Sequence, residues 1–351
     1  MSQNGLEKLG ALQEINWSPV ESYIRFHLEG LTEEPMNVKQ FSAGYSNLTY
    51  LIQIGNWEGV LRRPPFGTIP PKAHDMEREY RILKKLHPVY SLAPKPYLYC
   101  QDPKIMDKHF YIMEKKKGVV LDDVMPPEFR EKEETCRIIS ETVVNTLVQL
   151  HEINYEAASL ADIGRPEGFL ERQVQGWIKR YQNTKTDELE VSREIEKWLL
   201  ENIPASPPPT IIHNDFKLNN MMLSPHDPSH AVAVFDWEMC TIGDPLMDLG
   251  VTLAYWTEPG EAKTGLTSIT RTPGFIKRRE FIDLYAHKSE RDLSHIHYYV
   301  TFAFYKIAAV LQQIYYRWKK GQSQDERFAN LDEGIYNLMH QSYRALKKEL
   351  L

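Results

Sequence analysis

The stretch from Ile211 to Glu238 constrains this chain more than any other. Ile211-Ile212 leads into the polar run His213-Asn214-Asp215-Phe216-Lys217-Leu218-Asn219-Asn220, and sixteen residues after Asn220 the apolar run Ala231-Val232-Ala233-Val234-Phe235 ends in Asp236-Trp237-Glu238. Short strands are expected at 221–223 and 231–235, with His226-Asp227-Pro228-Ser229 turning between them. An apolar run that ends in Asp reads as a buried strand delivering a carboxylate to a site.

The chain on either side of this block differs in character. Residues 37–42, 48–54 and 59–63 are β-rich runs; 97–101 and 109–114 read as two more strands. A first helix is expected from Ser18 as N-cap, with Pro19 at the first helical position, to about Leu28, and another over 72–87, stopped by Pro88. Beyond Gly118 helices are expected at 131–153, 169–181 and 187–200, and over most of the chain after Asp248. The expected fold is therefore α+β, with a small β-rich lobe (1–117) followed by a larger, mainly helical lobe (118–351).

With 351 residues, 42% hydrophobic and 26% charged, the chain can bury a sizeable core. A net charge of -6 argues against nucleic acid as a partner. Cys100, Cys136 and Cys240 are sparse, lack metal-ligand spacing and read as packed thiols in a reducing compartment. Residues 298–318 are apolar and aromatic, but Lys306, Gln312, Gln313 and Arg317 make them a buried helix rather than a membrane span. With no signal-peptide pattern at Met1–Lys8, a cytoplasmic protein is expected. Oligomeric state is not readable.

A carboxylate followed five residues later by Asn suits phosphoryl transfer. Asp215 would accept a proton from, or orient, an attacking hydroxyl, and Asn220 with Asp236 would hold a magnesium ion. Lys217 would offset charge on the migrating group, and His213 would brace the loop.

His213–Asn220, Asp236 and Gly243-Asp244-Pro245-Leu246-Met247-Asp248-Leu249 together resemble the aminoglycoside phosphotransferase and choline kinase superfamily, which has a bilobal protein-kinase-like fold. The resemblance implies ATP and Mg2+ as cofactors, Asp215 as base, Asn220 and Asp236 as metal ligands, and Asp248 as support for the active-site loops. It places nucleotide binding in the first lobe. There Gly44-Tyr45-Ser46-Asn47 would approach the phosphates, Val60 would pack on adenine, and Arg62 stands where the family carries Lys, with Arg63 as its rival. Glu79 would be the helical partner of that cation. In the hinge-like run Tyr111–Gly118, Met113 would border adenine and the backbones of Glu114 and Lys116 would bond its edge.

Val60–Pro65, Pro70–His74, Arg78–Tyr80 and Phe110–Glu114 are similar to the kinase-like domain fused to certain acyl-CoA dehydrogenases, which implies a hydroxyacyl-CoA as phosphoryl acceptor. Arg271, Lys277, Arg278 and Arg279 would suit such an anion, or form a solvated helix face. An aminoglycoside is a polycation and would want acidic walls. A choline-like amino alcohol would want an aromatic cage, for which Trp237, Tyr255 and Trp256 are the candidates. A nucleotide-binding pseudokinase without turnover is the remaining alternative.

Overall fold

The computed structural model describes residues 15–41, 47–66, 74–129, 132–323 and 325–351, and the chain divides into two compact units. Unit 1 comprises residues up to His87 together with 94–116; unit 2 comprises 88–93 and 117–351.

In unit 1, α1 (Trp17–His27) precedes β1 (Asn37–Gln40), β2 (Leu48–Ile54) and β3 (Trp57–Arg63), then α2 (Met76–Leu86), β4 (Pro96–Cys100) and β5 (Phe110–Glu114). The strands form an antiparallel sheet in the order β1-β2-β3-β5-β4. Strand alternation sorts its two faces. Tyr50, Ile52, Ile54, Leu61, Phe110 and Ile112 join Val20 and Ile24 of α1 in one core. Val60 opposite Met113, and Arg62 opposite Tyr111, belong to the other face. The N-cap of α1 is Asn16, whose side chain accepts from the Ser18 amide, so the helix starts before the expected Ser18 cap. Asp75 caps α2 by accepting from the Arg78 amide.

Unit 2 contains β6 (Val119–Val120), α3 (Glu133–His151), α4 (Phe169–Thr184), α5 (Glu190–Glu201), β7 (Thr210–Ile212), β8 (Met221–Ser224), β9 (Asp227–Val234), β10 (Thr241–Gly243), α6 (Pro245–Tyr255), α7 (Arg278–Ser289), α8 (Ile296–Lys319) and α9 (Leu331–Leu346). The strand pair β7–β10 and the three-stranded sheet β6-β8-β9 are antiparallel. The segment expected as a turn at 226–229 lies largely within β9, because the β8–β9 register shifts and lets the strand begin at Asp227. Helices α6 and α8 are buried along most of their length, as their all-round apolar sequence requires. They approach closely at Gly250, where a Cβ would come within 2.7 Å of the Tyr299 carbonyl oxygen. Among the described residues no helix is long and apolar enough to cross a membrane.

Residues 88–93, expected with the first lobe, belong to unit 2. Tyr90 donates its hydroxyl to Thr146 O (3.2 Å) and meets the Trp237 ring edge-on, while the Val234 amide donates to Leu92 O (2.8 Å).

Candidate active site

The loop after β7 is held mainly by side chains that bond its backbone groups. Asp248, in the first turn of α6 and fully buried, accepts from the main-chain amides of His213 and Asn214, each at 2.6 Å. Asn214 sits in the left-handed region at φ 68°, a conformation that Asn tolerates better than most residues and that this double bond fixes. His213 is also fully buried. Its Nε2 bonds to Phe235 O (2.7 Å) and its Nδ1 to the Asp215 amide (3.3 Å). A carbonyl can only accept and an amide can only donate, so the proton is on Nε2 and the imidazole is a brace with both nitrogens committed. Behind this layer, His151 faces Asp248 through Nε2 (3.3 Å) and Tyr285 through Nδ1 (2.8 Å). Burial lowers the pKa of His151, against the opposing pull of Asp248. Asp244 caps α6 by accepting from the Leu246 amide, and it also accepts from the Tyr299 hydroxyl at 2.7 Å.

On this scaffold Asp215 is only partly buried. Its Oδ2 accepts from Lys217 Nζ (2.8 Å) and from Asn220 Nδ2 (3.2 Å). Asn220 Nδ2 also reaches the Asp215 main-chain oxygen at 2.9 Å, so the amide nitrogen is committed and the amide oxygen remains as its acceptor face. The Phe235 amide donates to Asn220 O (2.8 Å), and Met221 pairs with Val234. The β8–β9 pairing therefore brings Asn220 and Asp236 to the same end of the hairpin. Asp236 is itself left-handed, at φ 68° and ψ 58°. Lys217 Nζ lies over the Tyr255 ring at 4.8 Å. Burial opposes the lysine charge, but Tyr255, Asp215 and Asp236 outweigh it and hold the pKa above its ordinary value. Burial, with Asp215 adding, pushes the Tyr255 hydroxyl up to about 12. Two oxygen donors of this kind, an amide and a carboxylate, fit a magnesium ion, which takes few protein ligands and completes its shell with water and phosphate oxygens. Among the described residues no group of three or more His, Cys, Asp or Glu could hold a metal.

Within unit 1, Arg62 and Glu79 are both buried and meet at 3.1 Å between Nη1 and Oε1. Arg63 is directed elsewhere: its Nη2 pairs with Asp107 at 3.0 Å, its Nε donates to Pro64 O, and its guanidinium lies over Phe66. Asn47 is buried and its Oδ1 contacts His74 Nδ1 at 2.8 Å; Ser46 lies outside the described residues. Met113 is buried opposite Val60. The Glu114 amide donates to Lys95 O (2.8 Å). Lys116 pairs with the Glu114 side chain (3.0 Å) and Lys115 with Glu58 (2.6 Å).

Residues 37–276 match the phosphotransferase enzyme family. The chain belongs to that family. It is 31% identical over 322 residues to human acyl-CoA dehydrogenase family member 11, a match covering 89% of this chain and 41% of that protein, so the chain spans about two fifths of the relative's length. A solved structure from Ralstonia eutropha, described as a candidate aminoglycoside phosphotransferase, superposes with a TM-score of 0.78 at 28% identity, over 94% of this chain and 98% of the other. A thermostable mutant of aminoglycoside phosphotransferase APH(4)-Ia, in ternary complex with ADP and hygromycin B, shares the fold at 14% identity, with a TM-score of 0.59 over 93% and 97% of the two chains. The mixed architecture of a β-sheet region followed by a helical one matches these phosphotransferases.

Three sequence expectations about the acceptor change on folding. Trp237 and Trp256 are core residues, their indoles donating to Val234 O and Ile276 O at 2.8 Å, and do not form an aromatic cage. Of the expected basic residues at 271–279, Arg278 is buried and bonds Glu261 (2.9 Å) and Leu253 O (2.8 Å), and Arg271 donates to the carbonyls of Glu261 and Ala262, while Lys277 and Arg279 stay exposed. Tyr255, a cage candidate by sequence, instead packs under Lys217. The residue that sequence reading passed over is Lys306. It is 5% exposed in α8, and its Nζ donates to Asn214 O at 2.8 Å. Its signal in the sequence is a lysine in the apolar, aromatic middle of that helix, where it counts against a membrane span.

Proposed function

We propose that this phosphotransferase-family chain transfers the γ-phosphoryl group of ATP, with magnesium, to the hydroxyl of a small molecule. The arrangement of Asp215 carries the reading: a partly exposed carboxylate on a loop pinned by Asp248 and His213, with Lys217 and Asn220 both on Oδ2. Oδ1 takes part in neither contact and is the oxygen for an acceptor hydroxyl. Asp215 orients that hydroxyl and receives its proton as the new oxygen–phosphorus bond forms and the bond from the γ-phosphorus to the bridging oxygen breaks, releasing ADP. Lys217, held cationic by its neighbours, offsets charge on the transferring group. Asn220 Oδ1 and the Asp236 carboxylate hold the magnesium ion, which when bound neutralises phosphate charge. Unit 1 holds the nucleotide: Glu79 orients Arg62 toward phosphate oxygens, and Val60 and Met113 pack on adenine. ADP in the fold relative supports the choice of nucleotide.

A hydroxyacyl-CoA is the proposed acceptor, supported by the likeness to a protein named as an acyl-CoA dehydrogenase family member. The absence of a Trp237–Trp256 cage disfavours a choline-like amino alcohol. The test is a mass-spectrometric screen of hydroxyacyl-CoAs, sugars, aminoglycosides and amino alcohols for ATP-dependent phosphate addition, run with wild type and Asp215→Asn. The expected result is a phosphorylated hydroxyacyl-CoA whose formation falls about 1,000-fold or more in the variant, with ATP affinity retained. Undiminished turnover in Asp215→Asn refutes the mechanism. Magnesium-dependent ATP binding with no product from any acceptor favours a nucleotide-binding pseudokinase.

A further inference from the structure

Lys306 stands out among the buried charges of unit 2 because its ammonium is used on the catalytic loop's backbone. Burial lowers the pKa of Lys306, with Asp215 and Asp248 opposing that shift and Lys217 and Arg180 adding to it, and its Nζ donates to the main-chain oxygen of Asn214 (2.8 Å). That oxygen belongs to the peptide joining Asn214 to Asp215. The other end of the same peptide, the Asp215 N–H, donates to His213 Nδ1. The preceding peptide is held by the Asn214 amide on Asp248 Oδ1. Asp215 is therefore attached to a peptide plane gripped from opposite sides, by the loop's own imidazole and by a helix more than eighty residues later in the chain. Rotation of this plane would re-aim the Asp215 side chain, and a misplacement of about 1 Å in a reacting group can cost about 100-fold in rate.

We propose that Lys306 is a positioning residue for the transfer reaction: by holding the Asn214–Asp215 peptide it sets the direction of the Asp215 carboxylate. The inference rests on the reading of Asp215 as the group that meets the acceptor hydroxyl. Lys306 does not touch the acceptor or nucleotide in this role. It acts on kcat through the aim of Asp215, while nucleotide binding by unit 1 is untouched. Exchanging Lys306 for Met keeps most of the apolar stem and removes the donor to Asn214 O, so the variant is expected to fold with lowered stability, the cost of a buried carbonyl that loses its partner.

The experiment compares Lys306→Met, Lys306→Arg, Asp215→Asn and Tyr305→Phe with wild type, reading inorganic phosphate released from Mg·ATP with water as acceptor, together with thermal melting. Tyr305 is the next residue of α8, and its hydroxyl bonds Glu196 rather than the loop. Lys306→Met is expected to lose about 100-fold in kcat, the scale of a small misplacement of a reacting group, with KM for ATP near wild type and a melting temperature lowered by several degrees. Lys306→Arg, which keeps a cationic donor, is expected to recover at least part of the loss, and Tyr305→Phe to keep full kcat. A folded Lys306→Met with wild-type kcat, beside an inactive Asp215→Asn, overturns the proposal for Lys306 alone. Full activity in Asp215→Asn overturns the reading beneath it. Should Lys306→Met fail to fold, Lys306→Arg decides: a folded Arg variant as inactive as Asp215→Asn overturns the proposal, and retained kcat supports it.

Discussion

Asp248→Asn is the sharpest test of how the active loop is held, because it changes chemistry without changing shape. The carboxylate accepts two buried main-chain amides, from Asn214 on Oδ1 and from His213 on Oδ2, both at 2.6 Å. A carboxamide has one oxygen. Whichever way it turns, its NH2 group faces an amide N–H that has no other route to water, and one backbone donor is left unpaired. An unpaired buried donor costs about 1–3 kcal/mol, and the surviving bond loses its charge assistance, about a further 1 kcal/mol. The sum is about 3 kcal/mol, which in a unit of this size lowers the melting temperature by about 6–12 °C. Turnover should fall as well, since the same two amides place Asp215.

The neighbouring Asp244→Asn is the internal control. Asn caps a helix as well as Asp does, and the Tyr299 hydroxyl can rotate from donating to accepting, so about 1 kcal/mol or less is lost there. Thermal melts followed by circular dichroism, with kcat measured on the same samples, decide the matter. An Asp248→Asn protein that melts within about 2 °C of wild type and turns over normally would refute the claim that the carboxylate's two backbone bonds hold the loop.

Arg62→Met should weaken ATP binding by about tenfold or more, the worth of a charged hydrogen bond, while Arg63→Met lowers stability but leaves the ATP dissociation constant unchanged; calorimetric titration separates them. In Asp236→Ala the affinity for ATP should become the same with magnesium as with excess chelator, and a persistent magnesium effect would remove Asp236 from the metal site. For His151 the native pKa is lowered, so the unfolded chain binds a proton that the folded chain refuses. Its contribution is complete above about pH 6.5 and is lost as the pH falls below that value, by up to about 1.4 kcal/mol per pH unit. His151→Gln should flatten the fall in unfolding free energy between about pH 6.5 and 5.5, and an unchanged slope in denaturant titrations would contradict this.

Local chemistry made the centre of the site legible. Asp215, Lys217 and Asn220 lie within one loop, and Asp236 follows from a single hairpin, so residue spacing and strand alternation suffice to bring them together. The Arg62–Glu79 pair was legible for a related reason: a strand alternates strictly, and only one of the two consecutive arginines shares a face with Val60. The two-residue β6 and the three-residue strands β7 and β10 are too short to leave a periodic signal, and their pairing is set by the chain around them.

What escaped the sequence is what depends on distant segments. Trp237 and Trp256 look like a cage beside a catalytic motif, but whether an indole faces a ligand or a core is decided by the helices packed on it, and both indole N–H groups are satisfied by main-chain carbonyls. Arg278, within the basic run at 271–279, is withdrawn from the surface for the same reason, since Glu258 and Glu261, more than a dozen residues earlier, satisfy its main-chain amide and guanidinium. Lys306 is the converse case. A buried lysine is too costly to keep in an apolar helix without a partner, so its presence in α8 is itself a statement that some acceptor lies opposite. The sequence carries that demand but not its answer. The acceptor proves to be the carbonyl beside Asp215, which ties the longest helix of the described chain to the residue proposed to meet the substrate hydroxyl.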